Sequence, residues 1–269
     1  MPHAEVTGRK IYYEWHGEDV EATPLALITG IGGSCRGWLP LQVPELSRHR
    51  PVLIFDNRGA GGSEDSGDEF STADLAEDLV GLLDALGLAR VHLLGAFMGG
   101  MMAQELALAN PSRIAGLVLV GTYAHPDAKR RMLLEDWSGL AKIGIPLESM
   151  VRKRLVWTLH DDTLESTELI EGMVEFFTRE GAPMSAELFS RQCSACIQHD
   201  TRSRLADIPH ETLILCGQQD QLTPPKFHHE LASGIPNSRL VSLPHAAHLV
   251  MAEAAELFND TVVQFLEDL

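Results

Sequence analysis

The chain has only four cysteines, Cys35, Cys193, Cys196 and Cys216, in 269 residues. They are too few and too irregularly spaced for a disulfide scaffold, so reduced thiols in a cytoplasmic protein are expected. Positive charge is scarce as well. Twenty-one Lys and Arg stand against 38 Asp and Glu, a net charge of −17 with His neutral. So acidic a chain repels phosphate backbones and anionic membrane surfaces, which argues against nucleic acid or a membrane as partner. Long apolar runs are missing; the stretches near residues 25–28 and 114–120 fall far short of a membrane span. The segment Met1-Pro2-His3-Ala4-Glu5 lacks a basic region followed by an apolar one, so no signal peptide is expected. There is no internal repeat and no low-complexity tract. What is present is a globular composition, 45% hydrophobic and 22% charged, at a length that suits one large α/β domain.

The first half alternates short apolar runs with amphipathic stretches. Residues 11–15, 25–29, 52–56, 91–94 and 117–120 read as strands, several too apolar to have a wet face. Residues 71–86 place Leu75, Leu79, Leu82, Leu83 and Leu86 at helical spacing, with Gly87 as the stop. A second helix over 98–110 ends before Pro111. Strands separated by helices of this length imply crossover units and a parallel sheet. From about Tyr123 to His199 the strand signal disappears. Four helices are expected there, over 127–140, 147–159, 165–179 and 185–199, with Gly144-Ile145-Pro146 and Gly181-Ala182-Pro183 as breaks. Strands resume at 212–216 and 239–243, with helices around 225–233 and 252–269.

The most informative segment is Val91-His92-Leu93-Leu94-Gly95-Ala96-Phe97-Met98-Gly99-Gly100. It runs from a strand, through a turn of small residues, into a helix. That is the setting of a nucleophile elbow, where Gly-x-Ser-x-Gly lifts a hydroxyl onto a tight strand-to-helix turn. Here the pattern is Gly95-x-Phe97-x-Gly99, so the central side chain has no nucleophilic atom. Four further motifs follow in order. Thr29-Gly30-Ile31-Gly32-Gly33-Ser34 resembles a His-Gly-x-Gly loop with Thr29 in place of His. Asp56-Asn57-Arg58-Gly59-Ala60-Gly61-Gly62-Ser63 matches an Asp-x-Arg-Gly-x-Gly-x-Ser turn. Cys216-Gly217-Gln218-Gln219-Asp220 resembles a Gly-x-x-Asp, and Pro244-His245-Ala246-Ala247-His248 resembles a segment ending in a catalytic His.

Together these motifs resemble the α/β-hydrolase superfamily over nearly the whole chain, and most of all its esterase, 3-oxoadipate enol-lactonase and cofactor-free haloperoxidase group. The resemblance implies an α/β-hydrolase fold, with a mostly parallel eight-stranded sheet flanked by helices. Residues 1–122 and 206–269 would form the core and 123–205 an inserted helical lid. It also implies that Asp220 holds and polarises His248, that His248 moves protons, and that the backbone N–H groups of Ile31 and Met98 face a developing oxyanion. Because those donors are backbone, they survive any side chain at position 97. No cofactor and no metal are implied, and the partner is a small molecule.

Only the attacking atom is missing. Deleting the nucleophile of a serine hydrolase can cost about a million-fold in turnover. Roughly 10³ to 10⁴ of acceleration over water remains from the oxyanion hole and binding. Four readings stay open. The His248–Asp220 dyad acts as general base without a covalent step, on a small, largely apolar ester, lactone or β-dicarbonyl-like compound. Alternatively, Phe97 is an introduced substitution in an ordinary esterase or lactonase. A third reading is a small-molecule binder without turnover. The last gives the nucleophile's role to Ser34 or Cys35. The retained acid and His favour the first.

Other signals carry less. Cys193-x-x-Cys196 lies in a helix with no second pair at zinc spacing, which points to core or lid packing. His228-His229, and His245 with His248, raise the question of a metal, but adjacent helical His point apart and His245 sits in a loop. Gly30-x-Gly32-Gly33 lacks the spacing of a dinucleotide loop. Met98, Met101 and Met102 fit helix-to-sheet packing, and Trp137 and Trp157 fit anchors between lid helices or contacts to an apolar substrate. Arg152-Lys153-Arg154 reads as a solvated helix face or local ion pairs.

Overall fold

Eight strands form one sheet: β1 (His3–Val6), β2 (Arg9–His16), β3 (Leu25–Ile28), β4 (Val52–Phe55), β5 (Val91–Ala96), β6 (Ile114–Val120), β7 (Thr212–Gly217) and β8 (Ser238–Leu243). The computed structural model describes residues 2–179 and 184–269. Across the sheet the order is β1-β2-β4-β3-β5-β6-β7-β8. β2 runs antiparallel to β1 and β4, and every pairing from β4 to β8 is parallel. The apolar pattern misses β1, which is four residues long with only Ala4 and Val6 buried. Thr7 and Gly8 form its two-residue turn to β2 with φ of 49° and 80°, the left-handed pair that suits a hairpin's twist.

β3, β4, β5 and β7 are buried along their whole length, as their continuous apolar sequences require. Successive side chains feed opposite cores. Ala26, Ile28, Leu93 and Leu117 join one; Leu25, Leu27, Leu94 and Val118 join the other. The helices are α1 (Val43–Leu46), α2 (Thr72–Ala85), α3 (Met98–Ala109), α4 (Ala128–Lys142), α5 (Leu147–Thr158), α6 (Asp161–Leu164), α7 (Thr167–Arg179), α8 (Ala186–Gln198), α9 (Pro225–Gly234), α10 (Val250–Glu253) and α11 (Ala255–Glu267). α2, α3 and α9 cover the first core, and α1 and α11 the second. α2 starts at a capping box: Ser71 Oγ accepts from the Asp74 N–H at 3.2 Å, and Asp74 Oδ2 accepts from the Ser71 N–H at 2.7 Å. It stops at Gly87, φ 69°.

Between β6 and β7 the chain runs through α4 to α8. The four expected helices are α4, α5, α7 and α8. The added one-turn α6 is capped by His160, whose Nδ1 accepts from the Asp162 N–H at 3.1 Å. Gly144, φ 75°, breaks the chain between α4 and α5, whereas the expected break at Gly181-Ala182-Pro183 lies outside the described residues. α4 and α8 pack together with Trp137, Cys193 and Cys196 buried. Among the described residues no helix is long and apolar enough to cross a membrane. Because β3 pairs with β4 on one side and β5 on the other, the connections leaving the sheet diverge beside β3. A crevice opens at the carboxyl ends of strands at such a switch point, and the candidate residues follow β3, β5, β7 and β8.

Candidate active site

The turn from β5 to α3 is tight for steric reasons that the glycines reveal. A Cβ on Gly95 would collide with the Gly99 carbonyl, and one on Gly99 with the Ile28 carbonyl. Both contacts are to backbone, which has no rotamer to move. Between them Phe97 has φ 47° and ψ −108°, in a region that bulky side chains rarely occupy. Such strain is of order 1–3 kcal/mol and persists only where the surroundings over-determine it. Here they do. The Phe97 N–H donates to the Val120 carbonyl at 2.9 Å, and the Phe97 carbonyl accepts from the Gly100 N–H at 3.0 Å and Thr122 Oγ1 at 2.8 Å. The backbone is thus that of an elbow, with a benzyl group in the place of a hydroxymethyl.

That ring is 3% exposed. It meets His248 edge to face, with centroids 5.4 Å apart and planes at 82°, and Tyr123 likewise at 5.8 Å and 81°. Each such pair contributes about 0.5–1.5 kcal/mol beyond area burial. Tyr123 is tied in turn to α8, its hydroxyl donating to the Cys196 carbonyl at 3.0 Å.

The structure brings His248 and Asp220 together. Asp220 follows β7, whose Gly217 is required because a Cβ there would collide with the Ala246 and Ala247 carbonyls of the His-bearing loop. That loop follows β8, and Glu253 ties it to the helical insert: one carboxylate oxygen accepts from the Ala247 N–H and the other from the His160 N–H, both at 2.7 Å. His248 Nδ1 lies 2.9 Å from Asp220 Oδ2. Thr223 supports the acid twice, with its N–H 2.7 Å from Oδ1 and its hydroxyl 2.6 Å from Oδ2. Burial alone would raise the Asp220 pKa. The attraction of His248 and the hydrogen bonds from His248 and Thr223 outweigh it and hold the carboxyl below its ordinary value. Asp220 is therefore an anion, and the Nδ1 of His248 faces an acceptor.

The remaining expected groups are the Ile31 and Met98 amides. Met98 opens α3, so its N–H is one of the donors a helix start leaves free. Among the described residues neither amide donates to another protein group. The loop that carries Ile31 packs against the elbow, since a Cβ on Gly30 would stand 3.3 Å from Phe97 Cβ. Thr29, where the motif has His, faces Asn57, whose Nδ2 is 3.4 Å from its hydroxyl. Asp56 braces the loop from behind, accepting from the Cys35 N–H at 2.7 Å and the Gly62 N–H at 2.8 Å. Together these groups can move a proton and stabilise an oxyanion; they offer no side chain that attacks. Cys35 is no substitute, because burial first and Asp56 second push its thiol far up from the ordinary value. For a metal, His228 and His229 part company, one buried and one exposed. Among the described residues the grouping of metal-ligating side chains is His160, Asp162 and His245, and there His160 already spends its Nδ1 lone pair on capping α6.

The basic run departs from expectation. Arg152 does pair locally, with Glu148 at 3.0 Å and Glu171 at 2.6 Å. Arg154 does not. It turns inward from α5, its guanidinium 5.7 Å from the Trp137 and Phe189 ring centroids, and Nη2 donates to the Ile31 carbonyl at 2.7 Å. Burial lowers its pKa from the ordinary value. Gln192, in α8, accepts from the Gly32 N–H at 2.8 Å. Sequence reasoning passed over Arg154, Gln192 and Thr223. A helical count from Arg152 places Arg154 about 200° around α5, on the opposite face, which was the available signal.

Comparison with known proteins gives one answer. A protein named carbamate hydrolase RutD, from Caulobacter vibrioides, is 31% identical over 96% of this chain and 95% of its own length. A hydrolase structure from Pseudomonas aeruginosa superposes with a TM-score of 0.89 at 30% identity, covering 98% of this chain and 97% of that one. The enol-lactonase of Burkholderia xenovorans also gives 0.89, at 28% identity over 99% of this chain and 100% of that one. Residues 23–255 match the family described as alpha/beta hydrolase fold. With the sheet order, the elbow and this match in agreement, the chain belongs to the α/β-hydrolase fold family.

Proposed function

We propose that this hydrolase-family chain acts on a small, largely apolar carbonyl compound, an ester, lactone or β-dicarbonyl-like molecule, through the His248–Asp220 dyad and without an acyl-enzyme. The observation that carries the reading is the formed pair, His248 Nδ1 at 2.9 Å from a buried, ionised Asp220, beside a nucleophile position filled by Phe97. In hydrolysis His248 takes a proton from water as the oxygen attacks the carbonyl carbon. The Ile31 and Met98 amides hold the resulting oxyanion, and the protonated His248 returns the proton to the leaving oxygen as the intermediate collapses. Asp220 stabilises the imidazolium between these steps. Residues 123–205 act as the lid over the crevice of a core made by 1–122 and 206–269. The relatives' names, carbamate hydrolase and enol-lactonase, support a carbonyl substrate.

The test is a panel of short-chain p-nitrophenyl esters, small lactones and β-diketones, with intact-protein mass recorded during turnover. Turnover with an unmodified mass supports the reading. An acylated protein overturns it, and so does binding of panel compounds without any turnover. One observation favours a second reading, an ordinary serine esterase or lactonase with a substituted nucleophile: the elbow keeps φ 47° at a residue that gains nothing from it. That reading expects no turnover from Phe97 and full serine-type turnover from Phe97→Ser.

A further inference from the structure

The loop that carries Ile31 contains a β-turn. The Gly33 N–H donates to the Gly30 carbonyl at 3.3 Å, and of the two central residues Gly32 alone has a positive φ, 67°. That combination marks a type II turn. Types I and II share their flanking backbone and differ by roughly half a rotation of the central peptide, as their dihedral angles require. Here the central peptide joins Ile31 to Gly32.

Both polar ends of this peptide are held by the helical insert. Arg154, from α5, donates to its carbonyl at 2.7 Å, and Gln192, from α8, accepts from its N–H at 2.8 Å. Gln192 is fully packed, at 1% exposed. The guanidinium lies so close to the turn that a Cβ on Gly32 would stand 2.6 Å from Arg154 Nη1. No carboxylate among the described residues pairs with Arg154, so its directed contact is this carbonyl. Two helices thus grip one peptide from its two ends, and that peptide adjoins the Ile31 amide.

We propose that Arg154 and Gln192 are positioning residues for the oxyanion hole, holding the Ile31–Gly32 peptide in its type II orientation and anchoring the turn that carries the Ile31 N–H. The proposal rests on the reading that Ile31 supplies an oxyanion donor. In the flipped turn the Ile31 carbonyl and the Gly32 N–H exchange sides, placing an acceptor in a loop whose function is to donate. Since both grips ride on the insert, docking of the insert sets the turn and lifting it to admit substrate releases it.

Amide hydrogen exchange and the ¹H–¹⁵N resonance of Gly32 test this in the native protein and in Gln192→Leu, Gln192→Glu and Arg154→Met. Gln192→Leu should speed Gly32 exchange by roughly tenfold, the worth of one hydrogen bond, and Gln192→Glu, which still accepts, should restore protection. Arg154→Met should speed it as well, although Arg154 does not touch that amide. Unchanged Gly32 exchange in Gln192→Leu and Arg154→Met overturns the proposal. So does an equal loss of protection across the whole insert, which means that the helices have merely undocked. In the Phe97→Ser background, Gln192→Leu should lower kcat by about tenfold to a hundredfold with KM within about twofold, and Gln192→Glu should recover it. A rise in KM at constant kcat contradicts an oxyanion role. The exchange measurement needs no turnover, so an inert Phe97→Ser protein would sink the functional reading and leave the peptide grip to be decided by exchange.

Discussion

Phe97→Ser should convert this protein into an acylating esterase at a measurable cost in stability. The ring is 3% exposed and packs edge-on against Tyr123 and His248. Truncating a buried Phe costs about 3–5 kcal/mol through lost transfer energy and the void left behind. Relief of the strain that a bulky residue suffers at φ 47° returns roughly 1 kcal/mol. The net loss of about 3 kcal/mol corresponds to a fall in Tm of about 6–12 °C for a chain of this size. The gain is chemical. The new hydroxyl stands on an elbow already in position, beside a dyad already formed. Since deleting a nucleophile costs up to about 10⁶ in kcat, restoring one should raise p-nitrophenyl butyrate turnover by at least about 10³-fold. Stopped-flow absorbance should show a burst of p-nitrophenol, and the mass of the peptide containing residue 97 should rise by one acyl group. A variant that melts as predicted but shows neither burst nor acyl group would refute the claim that the dyad and hole stand in working register.

Three further outcomes follow from the packing. Asp78 is buried against Arg58 Nε at 2.5 Å and Arg9 at 3.7 Å, so Asp78→Ala strands a buried cation and should cost about 3–5 kcal/mol in urea unfolding; a loss below about 1 kcal/mol would show the pair to be idle. Burial holds His92 and His228 down to about 4 and His199 to about 3, in the case of His228 against the pull of Asp220. Below about pH 6.5 the unfolded chain therefore binds protons that the folded one refuses, so stability falls between about pH 6.5 and 4. Each of the first two contributes up to about 3 kcal/mol, and His228→Leu should remove about one proton's worth of slope from the stability–pH curve. Asp220, with its pKa lowered, loses its own contribution only at still lower pH. Gly121 has φ 51°, and a Cβ there would sit 3.1 Å from the His248 ring; Gly121→Ala should cut His248-dependent activity more than about tenfold while costing only about 1–2 kcal/mol of stability.

How much of this was legible in the chain depended on the kind of signal. The strands at the centre of the sheet were visible because burial on both faces forces unbroken apolar runs, as in Leu25–Ile28 and Val52–Phe55. α2 was visible through the helical spacing of Leu75, Leu79, Leu82 and Leu83 and through Gly87 as its stop. β1 was not, because two buried residues make no pattern. Asp220 and His248 could be named from motif order, since glycines and small residues mark the turns that present them. Arg154 could not be told from its neighbours by composition: Arg152 faces acids on the surface while Arg154, two positions on, faces the Ile31 carbonyl. Gln192 lies 160 residues from Gly32, and nothing local records that partnership.

The central claim is that His248 moves the protons in a protein whose nucleophile position is an aromatic ring. The most direct measurement is kcat/KM on the best carbonyl substrate of the panel, native protein against His248→Ala, with Phe97 left in place and both proteins shown to be folded. Loss of a general base of this kind should lower kcat/KM by about 10²- to 10⁴-fold. Native turnover that His248→Ala leaves unchanged would contradict the account.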